Sequence, residues 1–171
     1  MSKLLEKVKT KVIEDFKGIT RWDKNVPYHT HPIAVADIAE SIMGKYLVNF
    51  DNWDEDEKRR SKIIVKIIGF THDHTEDLDK YKGKLDKLIE DLKVLDEDKE
   101  LLMGDWFKIA LGLYGLDKNN FKNYRDFTLG AKSYVWSRIG KIADITHNTS
   151  DLRKKGSMLD KYLLALYILE N

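Results

Sequence analysis

Helical periodicity runs through nearly the whole chain, and few residues interrupt it. Only two prolines and ten glycines occur among the 171 residues, whereas long stretches place apolar and charged residues at helical spacing. In residues 2–17, for example, Leu4, Val8 and Val12 fall on one apolar stripe. A chain of this length suits one domain with a single core. We therefore predict an all-α fold in which residues 1–171 form one helical domain.

The apolar pattern also predicts where individual helices lie. A first helix covers residues 2–17, and a second begins just after His31, has Pro32 as its first residue and ends in the forties. Residues 49–56 connect it to a third helix, and residues 115–124 form a later loop. Further helices are expected near residues 85–95, 100–115 and 159–169. Five aromatic side chains are expected to fill the core: Trp106, Phe107, Tyr114, Tyr134 and Trp136.

Composition excludes several functional classes. The 30 basic and 29 acidic residues balance, which argues against a binder of nucleic acid or of anionic membranes. Cysteine is absent, so disulfides and thiolate metal sites are excluded, and we expect a cytoplasmic protein. The first residues lack the apolar core of a signal peptide, and no apolar run reaches transmembrane length. The basic run at residues 153–155 is predicted to be a solvated turn.

Side chains that bind metals or move protons are concentrated at the end of the third predicted helix. The apolar residues 63–70 are followed at 71–77 by the sequence THDHTED. If the helix continues, His72 stacks on Glu76 and Asp73 stacks on Asp77 at i,i+4 spacing. Crowded carboxylates repel one another unless a positive group lies between them. A divalent cation bound by His72 and Asp73 meets that requirement, and the alternative is a solvated acidic helix end.

A second polar cluster lies in residues 141–148. Lys141, Asp144 and Asn148 fall on one helical face at i, i+3 and i+7, and apolar neighbours flank Asp144. A single buried aspartate could cap a helix or pair with a lysine. It could also be the fourth ligand of a cation bound by His72 and Asp73, with His31 as the second imidazole. Such a mixed nitrogen and oxygen site suits manganese, iron, zinc or another first-row divalent ion.

Three segments of the chain resemble the motifs of a known family. Residues 27–36, 71–77 and 141–148 have the sequences PYHTHPIAVA, THDHTED and KIADITHN. These are similar, in the same order, to the motifs PYxxHPxxVA, HDxxED and KLADRLHN of the RelA/SpoT-type HD hydrolases. The resemblance spans residues 21–152 and extends to the stand-alone small alarmone hydrolases, which are single helical domains of about this size. It implies a single HD-domain helical bundle.

The resemblance also implies an activity. The expected enzyme is a manganese-dependent hydrolase that removes the 3′-pyrophosphate from guanosine tetra- or pentaphosphate. Glu76 and Asp77 match the pair that orients and deprotonates the attacking water, Asn148 matches a contact to the nucleoside, and Arg21 matches a basic residue that faces the base. Four residues match the metal ligands: His31, His72, Asp73 and Asp144. Phosphate binding also requires cations, and Lys141 and Arg138 are near enough along the chain.

Two departures from the family pattern affect the expected substrate. The segment between His31 and His72 is longer than usual, and Ser150 stands where the family commonly has arginine. The chain could therefore hydrolyse another phosphorylated nucleotide. A third alternative is a non-catalytic module that binds a nucleotide, although a module that only binds has no need of a water-activating pair.

The remaining histidines and two aromatic residues are not among the predicted metal ligands. His29 and His74 lie two positions from proposed ligands, so we expect surface or supporting roles for them. His147 is expected to be packed and hydrogen-bonded. Trp22 and Tyr28 could stack on a purine base or pack in the core.

Overall fold

The computed structural model describes residues 2–21, 25–150 and 157–171, and helices dominate all three ranges. Within those ranges no β-strand forms, and the only extended pairing is an antiparallel bridge between Thr20 and Pro27. The prediction of an all-α fold is confirmed. Trp22 and the basic run 153–155 lie outside the described residues. The helices are α1 (Lys3–Asp15), α2 (Thr30–Tyr46), α3 (Glu55–Thr71), α4 (His74–Asp77), α5 (Leu85–Lys93), α6 (Met103–Tyr114), α7 (Tyr124–Ser133), α8 (Val135–Ser150) and α9 (Ser157–Glu170).

Local capping determines where the first and third helices begin. The Ser2 side chain accepts a hydrogen bond from the Leu5 backbone N–H at the start of α1. At the start of α3, Asp54 and Glu57 form a reciprocal capping box. Both devices satisfy backbone donors that have no partner inside the helix. Glu55, Asp56 and Glu57 occupy the first turn of α3, where the positive end of the helix dipole favours acidic side chains.

The main core lies where α2, α3 and α8 pack together, with α1, α5 and α6 around them. Close approach of α2 to α3 depends on Gly69, because a Cβ atom there would lie 2.5 Å from the Ala36 Cα. This crossing brings the start of α2 to the end of α3. A second apolar cluster joins α7, α8 and α9 through Ala131, Ile142, Ile145, Ala165 and Leu169.

The second helix begins earlier than predicted. It starts at Thr30, so His31 is helical and Pro32 is the third helical residue. Proline is tolerated there because the first backbone N–H groups of a helix have no intrahelical acceptor. A turn leads into the helix, in which the His31 N–H donates to the Tyr28 carbonyl at 3.0 Å. The buried imidazole is therefore held by regular helix geometry.

One further prediction, which concerns the core aromatic residues, needs correction. Phe107 and Tyr114 are exposed on α6, whereas Trp106 and Trp136 are buried as predicted and Tyr134 is half-buried. The α6 helix turns Trp106 towards the core, and this leaves Phe107 and Tyr114 on its outer surface.

None of the helices in the described ranges combines the length and the hydropathy that a bilayer crossing requires.

Candidate metal centre

Two imidazoles and two carboxylates from separate parts of the chain meet beside the core. The His31 Nε2 lies 3.5 Å from Asp73 Oδ2 and 3.3 Å from Asp144 Oδ1. The His72 Nε2 lies 3.1 Å from Asp73 Oδ1 and 3.8 Å from the same Asp144 Oδ1. His31, His72 and Asp144 are buried, and each offers a ligand atom within 4.8 Å of the others. This group can hold a metal ion, and Asp73 adjoins it through both of its oxygens.

The hydrogen bonding of His72 suits a metal ligand. Its Nδ1 lies 2.8 Å from the Gly69 carbonyl oxygen, and because a carbonyl only accepts, Nδ1 must carry the proton. The lone pair of the neutral ring then lies on Nε2. Within the described residues, this Nε2 is buried and has no hydrogen-bond partner. A buried nitrogen without a hydrogen-bond partner, beside two carboxylates, suits the coordination of a cation.

The electrostatics of the centre indicate a shortage of positive charge. Burial lowers the pKa of the His72 imidazole, but the Asp73 charge and the Asp144 contact outweigh burial and raise that pKa to about 9. Burial raises the pKa of Asp144, but Lys141, His31 and His72 together hold it well below its usual range. Without a cation, the carboxylates therefore draw a proton onto His72. A divalent ion would supply the same charge without that proton.

The polar residues of α8 surround Asp144, as their spacing predicted. The Lys141 Nζ donates to Asp144 Oδ2 at 2.9 Å, and the Asn148 Nδ2 donates to Asp144 Oδ1 at 2.6 Å. The Arg21 guanidinium reaches the same group, with its NH2 nitrogen 3.0 Å from Asn148 Oδ1. Its NH1 nitrogen lies 3.2 Å from the Nδ1 of His147. His147 is half-buried and hydrogen-bonded, as expected.

The two acidic residues of α4 have different surroundings. Because α3 ends at Thr71, they do not continue the helix that carries the apolar run. The Glu76 carboxylate accepts from the Lys118 backbone N–H at 2.7 Å and from Lys118 Nζ at 2.5 Å. Asp77 is exposed, and its Oδ2 accepts from the Tyr28 hydroxyl at 2.5 Å. Glu76 faces the cavity beside the centre, whereas Asp77 is not among the cavity's lining residues.

A cavity of about 620 Å³ opens next to the candidate metal centre. Its size is ordinary for a small-molecule site. Cationic side chains from several segments line it: Arg21, Lys118, Lys122, Lys141 and Lys161. Aromatic side chains also line it: Tyr28, Phe121, Tyr124, Phe127 and Tyr162. Anionic and aromatic ligand groups would both find partners in this cavity.

Sequence reasoning missed three of these cations, namely Lys118, Lys122 and Lys161. Two of them lie in the segment 115–124, which was interpreted only as a connecting loop, and no motif distinguishes them from other surface lysines. Conversely, Arg138 does not line the cavity. Its Nε donates to the Leu169 carbonyl at 2.5 Å, so it ties α8 to the end of α9. The suggestion that Arg138 holds phosphate is therefore wrong.

A third buried histidine lies next to the centre but belongs to a different group, which we call the Asp15 cluster (Asp15, His74, Lys11 and Lys80). His74 is fully buried and packs edge-on against Phe16. Its Nε2 lies 3.4 Å from Asp15 Oδ2. The Asp15 carboxylate also pairs with Lys11 and Lys80. His74 thus has a supporting role, inside the protein and not on its surface.

Tyr28 connects the two groups. Its ring stacks on Phe16 with centroids 4.7 Å apart, and its hydroxyl lies 2.8 Å from Asp73 Oδ2 as well as near Asp77. Burial and the two carboxylates raise the pKa of this hydroxyl, so it stays protonated and donates. The ring of Tyr28 therefore packs in the core, while its hydroxyl orients Asp73.

Comparison with protein-family models and with curated protein sequences finds no match to this chain.

Proposed function

We propose that this protein is a metal-dependent phosphohydrolase of the HD class that removes the 3′-pyrophosphate from guanosine tetra- or pentaphosphate. One observation carries the proposal. The four residues that match the family's metal ligands come from α2, the α3–α4 turn and α8, yet the Nε2 atom of each imidazole lies 3.1–3.8 Å from an oxygen of each carboxylate. The three motifs that resemble the HD hydrolases supply the four ligands, which are His31, His72, Asp73 and Asp144.

Manganese is the proposed ion. The donors are imidazole nitrogens and carboxylate oxygens, a set that suits first-row divalent ions, and the chain has no cysteine to favour a softer metal. When bound, such an ion lowers the pKa of water and neutralises charge that develops on phosphate oxygens. His72 is prepared for this role by its bond to the Gly69 carbonyl, which leaves Nε2 free to coordinate.

Glu76 is the proposed proton acceptor. It faces the cavity, and its two oxygens are held by the backbone and the ammonium group of Lys118. A carboxylate fixed in this way can take a proton from the attacking water and return it to the leaving 3′ oxygen. Asp77 bonds to Tyr28, so in this proposal it orients the hydroxyl that also contacts Asp73.

The cavity offers cations for a substrate with two pyrophosphate groups. Lys118, Lys122 and Lys161 line it, and ammonium groups bind phosphate oxygens as point charges. Lys141 lines the same cavity and donates to Asp144, so any phosphate contact uses its remaining ammonium hydrogens. Tyr124 also lines the cavity, and its buried hydroxyl has no hydrogen-bond partner among the described residues. A ligand oxygen would satisfy it.

The direct test is hydrolysis of guanosine tetraphosphate with Mn²⁺, before and after chelation. The proposal expects guanosine diphosphate and pyrophosphate as products, and activity that disappears with chelator and returns with Mn²⁺. Glu76→Gln removes the proton acceptor at nearly constant size and should lower kcat strongly. Its matched control is Glu90→Gln, an exposed residue of α5 that does not line the cavity. Equal turnover of wild type and Glu76→Gln would refute the role of Glu76.

Ser150 favours a second candidate, hydrolysis of a different phosphorylated nucleotide. The Ser150 hydroxyl donates to the His147 carbonyl of its own helix at 2.8 Å, so it supplies no cation where the family commonly has arginine. A panel of nucleotides with 3′-pyrophosphate, 5′-triphosphate or monophosphate groups separates the two. If a nucleotide without a 3′-pyrophosphate is hydrolysed faster, that nucleotide becomes the proposed substrate in place of guanosine tetraphosphate, and the proposed metal dependence is unchanged.

A further inference from the structure

We infer that Arg21 is a positioning residue, which orients two metal ligands through one intermediate residue each. The structure places its guanidinium on His147 and on Asn148, and these two residues contact His31 and Asp144. The inference rests on the proposed function only in taking His31 and Asp144 as ligands. It assigns Arg21 a role different from the contact to the base that its sequence position suggests.

The first branch of this network determines which nitrogen of His31 carries its proton. Arginine can only donate, so the Nδ1 of His147, 3.2 Å from the Arg21 NH1 nitrogen, must accept. That same Nδ1 lies 2.8 Å from the Nδ1 of His31. Since one of the two nitrogens is already an acceptor, the His31 Nδ1 must be the donor. The lone pair of His31 then lies on Nε2, which faces Asp73 and Asp144.

The opposite proton arrangement would block coordination. Without Arg21, the His147 Nδ1 could carry a proton and donate it to His31. The His31 proton would then move to Nε2, where the two carboxylates favour a donor. Metal binding would have to reverse that arrangement first, because a protonated Nε2 cannot coordinate. The guanidinium thus excludes the unproductive tautomer before any ion arrives.

The second branch orients Asp144. The Asn148 Oδ1 accepts from the Arg21 NH2 nitrogen at 3.0 Å, which leaves the amide NH₂ to donate to Asp144 Oδ1 at 2.6 Å. A reversed amide would face the carboxylate with its own oxygen. Asp144 Oδ1 is the atom that lies near both imidazole Nε2 atoms. The Arg21 guanidinium therefore fixes the orientation of the Asn148 amide, which holds Asp144, and also the tautomer of His31.

The position of Arg21 is itself held by the backbone. Its N–H donates to the Val26 carbonyl at 2.9 Å, next to the bridge between Thr20 and Pro27. The guanidinium therefore reaches α8 from a short paired segment, and its two terminal nitrogens contact different residues. Arg21 thus uses both terminal nitrogens for contacts within the protein, whereas a residue that only binds substrate would extend them into the cavity.

The test measures the His31 tautomer and Mn²⁺ affinity without substrate. Arg21→Met keeps side-chain length and removes the donors, and Arg125→Met, on the exposed surface of α7, is the matched control. Long-range proton–nitrogen NMR spectra of metal-free protein at alkaline pH report which His31 nitrogen carries the proton. We expect Nδ1 in the wild type and in Arg125→Met, and a shift towards Nε2 in Arg21→Met. Mn²⁺ affinity, from calorimetry, should fall about tenfold to a hundredfold in Arg21→Met alone.

A second variant checks the route through His147. His147→Phe should also weaken Mn²⁺ binding, and the loss in the double variant with Arg21→Met should be smaller than the product of the two single losses. If the fold-losses of Mn²⁺ affinity instead multiply in the double variant, Arg21 does not act through His147. An unchanged tautomer and unchanged Mn²⁺ affinity in Arg21→Met, together with a raised KM, would return Arg21 to a substrate contact. The tautomer measurement needs neither metal nor turnover. A wild type without hydrolytic activity would therefore refute the proposed function without affecting this inference.

Discussion

Two buried histidine–aspartate groups each take a histidine from the same turn of the chain, and carboxylates outnumber ammonium groups in only one of them. The candidate metal centre holds two carboxylates, Asp73 and Asp144, against the single ammonium of Lys141. The Asp15 cluster holds one carboxylate against two ammonium groups, Lys11 and Lys80. His72 belongs to the first group and His74, two residues later, belongs to the second.

The difference between the groups shows which surroundings suit a buried histidine to hold a metal ion. Both imidazoles are buried, so burial does not distinguish them. Surplus carboxylates raise the pKa of His72 to about 9, whereas burial lowers the pKa of His74. The metal centre also adjoins a cavity, while His74 is enclosed by the rings of Phe16 and Tyr81. Charge balance and access, more than residue type, assign the two histidines their roles.

The largest effect is expected from removing a carboxylate of the candidate metal centre. Asp144→Asn removes a ligand charge and leaves Lys141 buried without its counterion. Mn²⁺ affinity should fall by more than the roughly 10–100-fold that is typical when a supporting residue is lost, and metal-dependent turnover should vanish. Calorimetry with Mn²⁺ measures the first effect. Asp15→Asn is the matched change in the other group and should retain Mn²⁺ binding; equal losses in both variants would remove the distinction between the groups.

The second prediction concerns stability. His74→Ala opens a cavity under Phe16 and removes the Asp15 contact, so the free energy of unfolding should fall by about 2–4 kcal/mol. Urea denaturation measures it, with His29→Ala, a half-buried histidine, as the control. Mn²⁺ affinity of the folded variant should match the wild type. A variant that keeps its stability and loses Mn²⁺ would place His74 in the metal centre.

The third prediction is that pH acts on the two histidines in opposite directions. The pKa of His72 in the folded chain, about 9, exceeds its ordinary 6.5. The contribution of its proton to stability is therefore fully present below pH 6.5 and is lost as the pH rises through about 9. The pKa of His74 is lowered, so its stabilising contribution is present at high pH and is lost as the pH falls below 6.5.

Metal-free unfolding profiles of the wild type, His72→Ala and His74→Ala check both directions. Because Mn²⁺ displaces the His72 proton, Mn²⁺ affinity should also rise by up to about tenfold per pH unit until that proton is gone. An affinity that stays constant between neutral pH and pH 9 would contradict the assigned charge of His72.

The smallest effect is expected at Tyr28, which joins the two groups. Tyr28→Phe keeps the ring on Phe16 and removes the hydroxyl that Asp73 and Asp77 share. A single hydrogen bond contributes about 0.5–1.5 kcal/mol, so Mn²⁺ affinity should fall by about twofold to tenfold with little change in stability. Tyr167→Phe, on an exposed tyrosine, is the control. A large loss of stability would show instead that the hydroxyl mainly supports the core.

Sequence patterns predicted the parts of the site that depend on local spacing. Lys141, Asp144 and Asn148 meet because i, i+3 and i+7 positions share a helical face, and the structure shows both of their bonds to Asp144. That His31, His72 and Asp73 meet Asp144 was expected from the resemblance of three motifs to the HD hydrolases. Apolar periodicity similarly predicted the all-helical fold.

Other features could not be predicted because they depend on contacts between distant segments. Helix α3 ends at Thr71, before the short helix α4 that carries Glu76 and Asp77, and no proline or glycine lies between the two helices. Lys118 meets Glu76 from a loop 42 residues away. His74 is buried because Asp15, the last residue of α1, and Phe16, which follows it, contact its ring, and the sequence around His74 contains no sign of either.

Anomalous X-ray scattering from crystals of the protein grown with Mn²⁺ would locate an ion bound in the candidate metal centre. We expect a single strong anomalous peak within bonding distance of the Nε2 atoms of His31 and His72 and of the carboxylates of Asp73 and Asp144. No anomalous peak among these four residues, or a peak beside the Asp15 cluster, would show that these residues do not form a Mn²⁺ site.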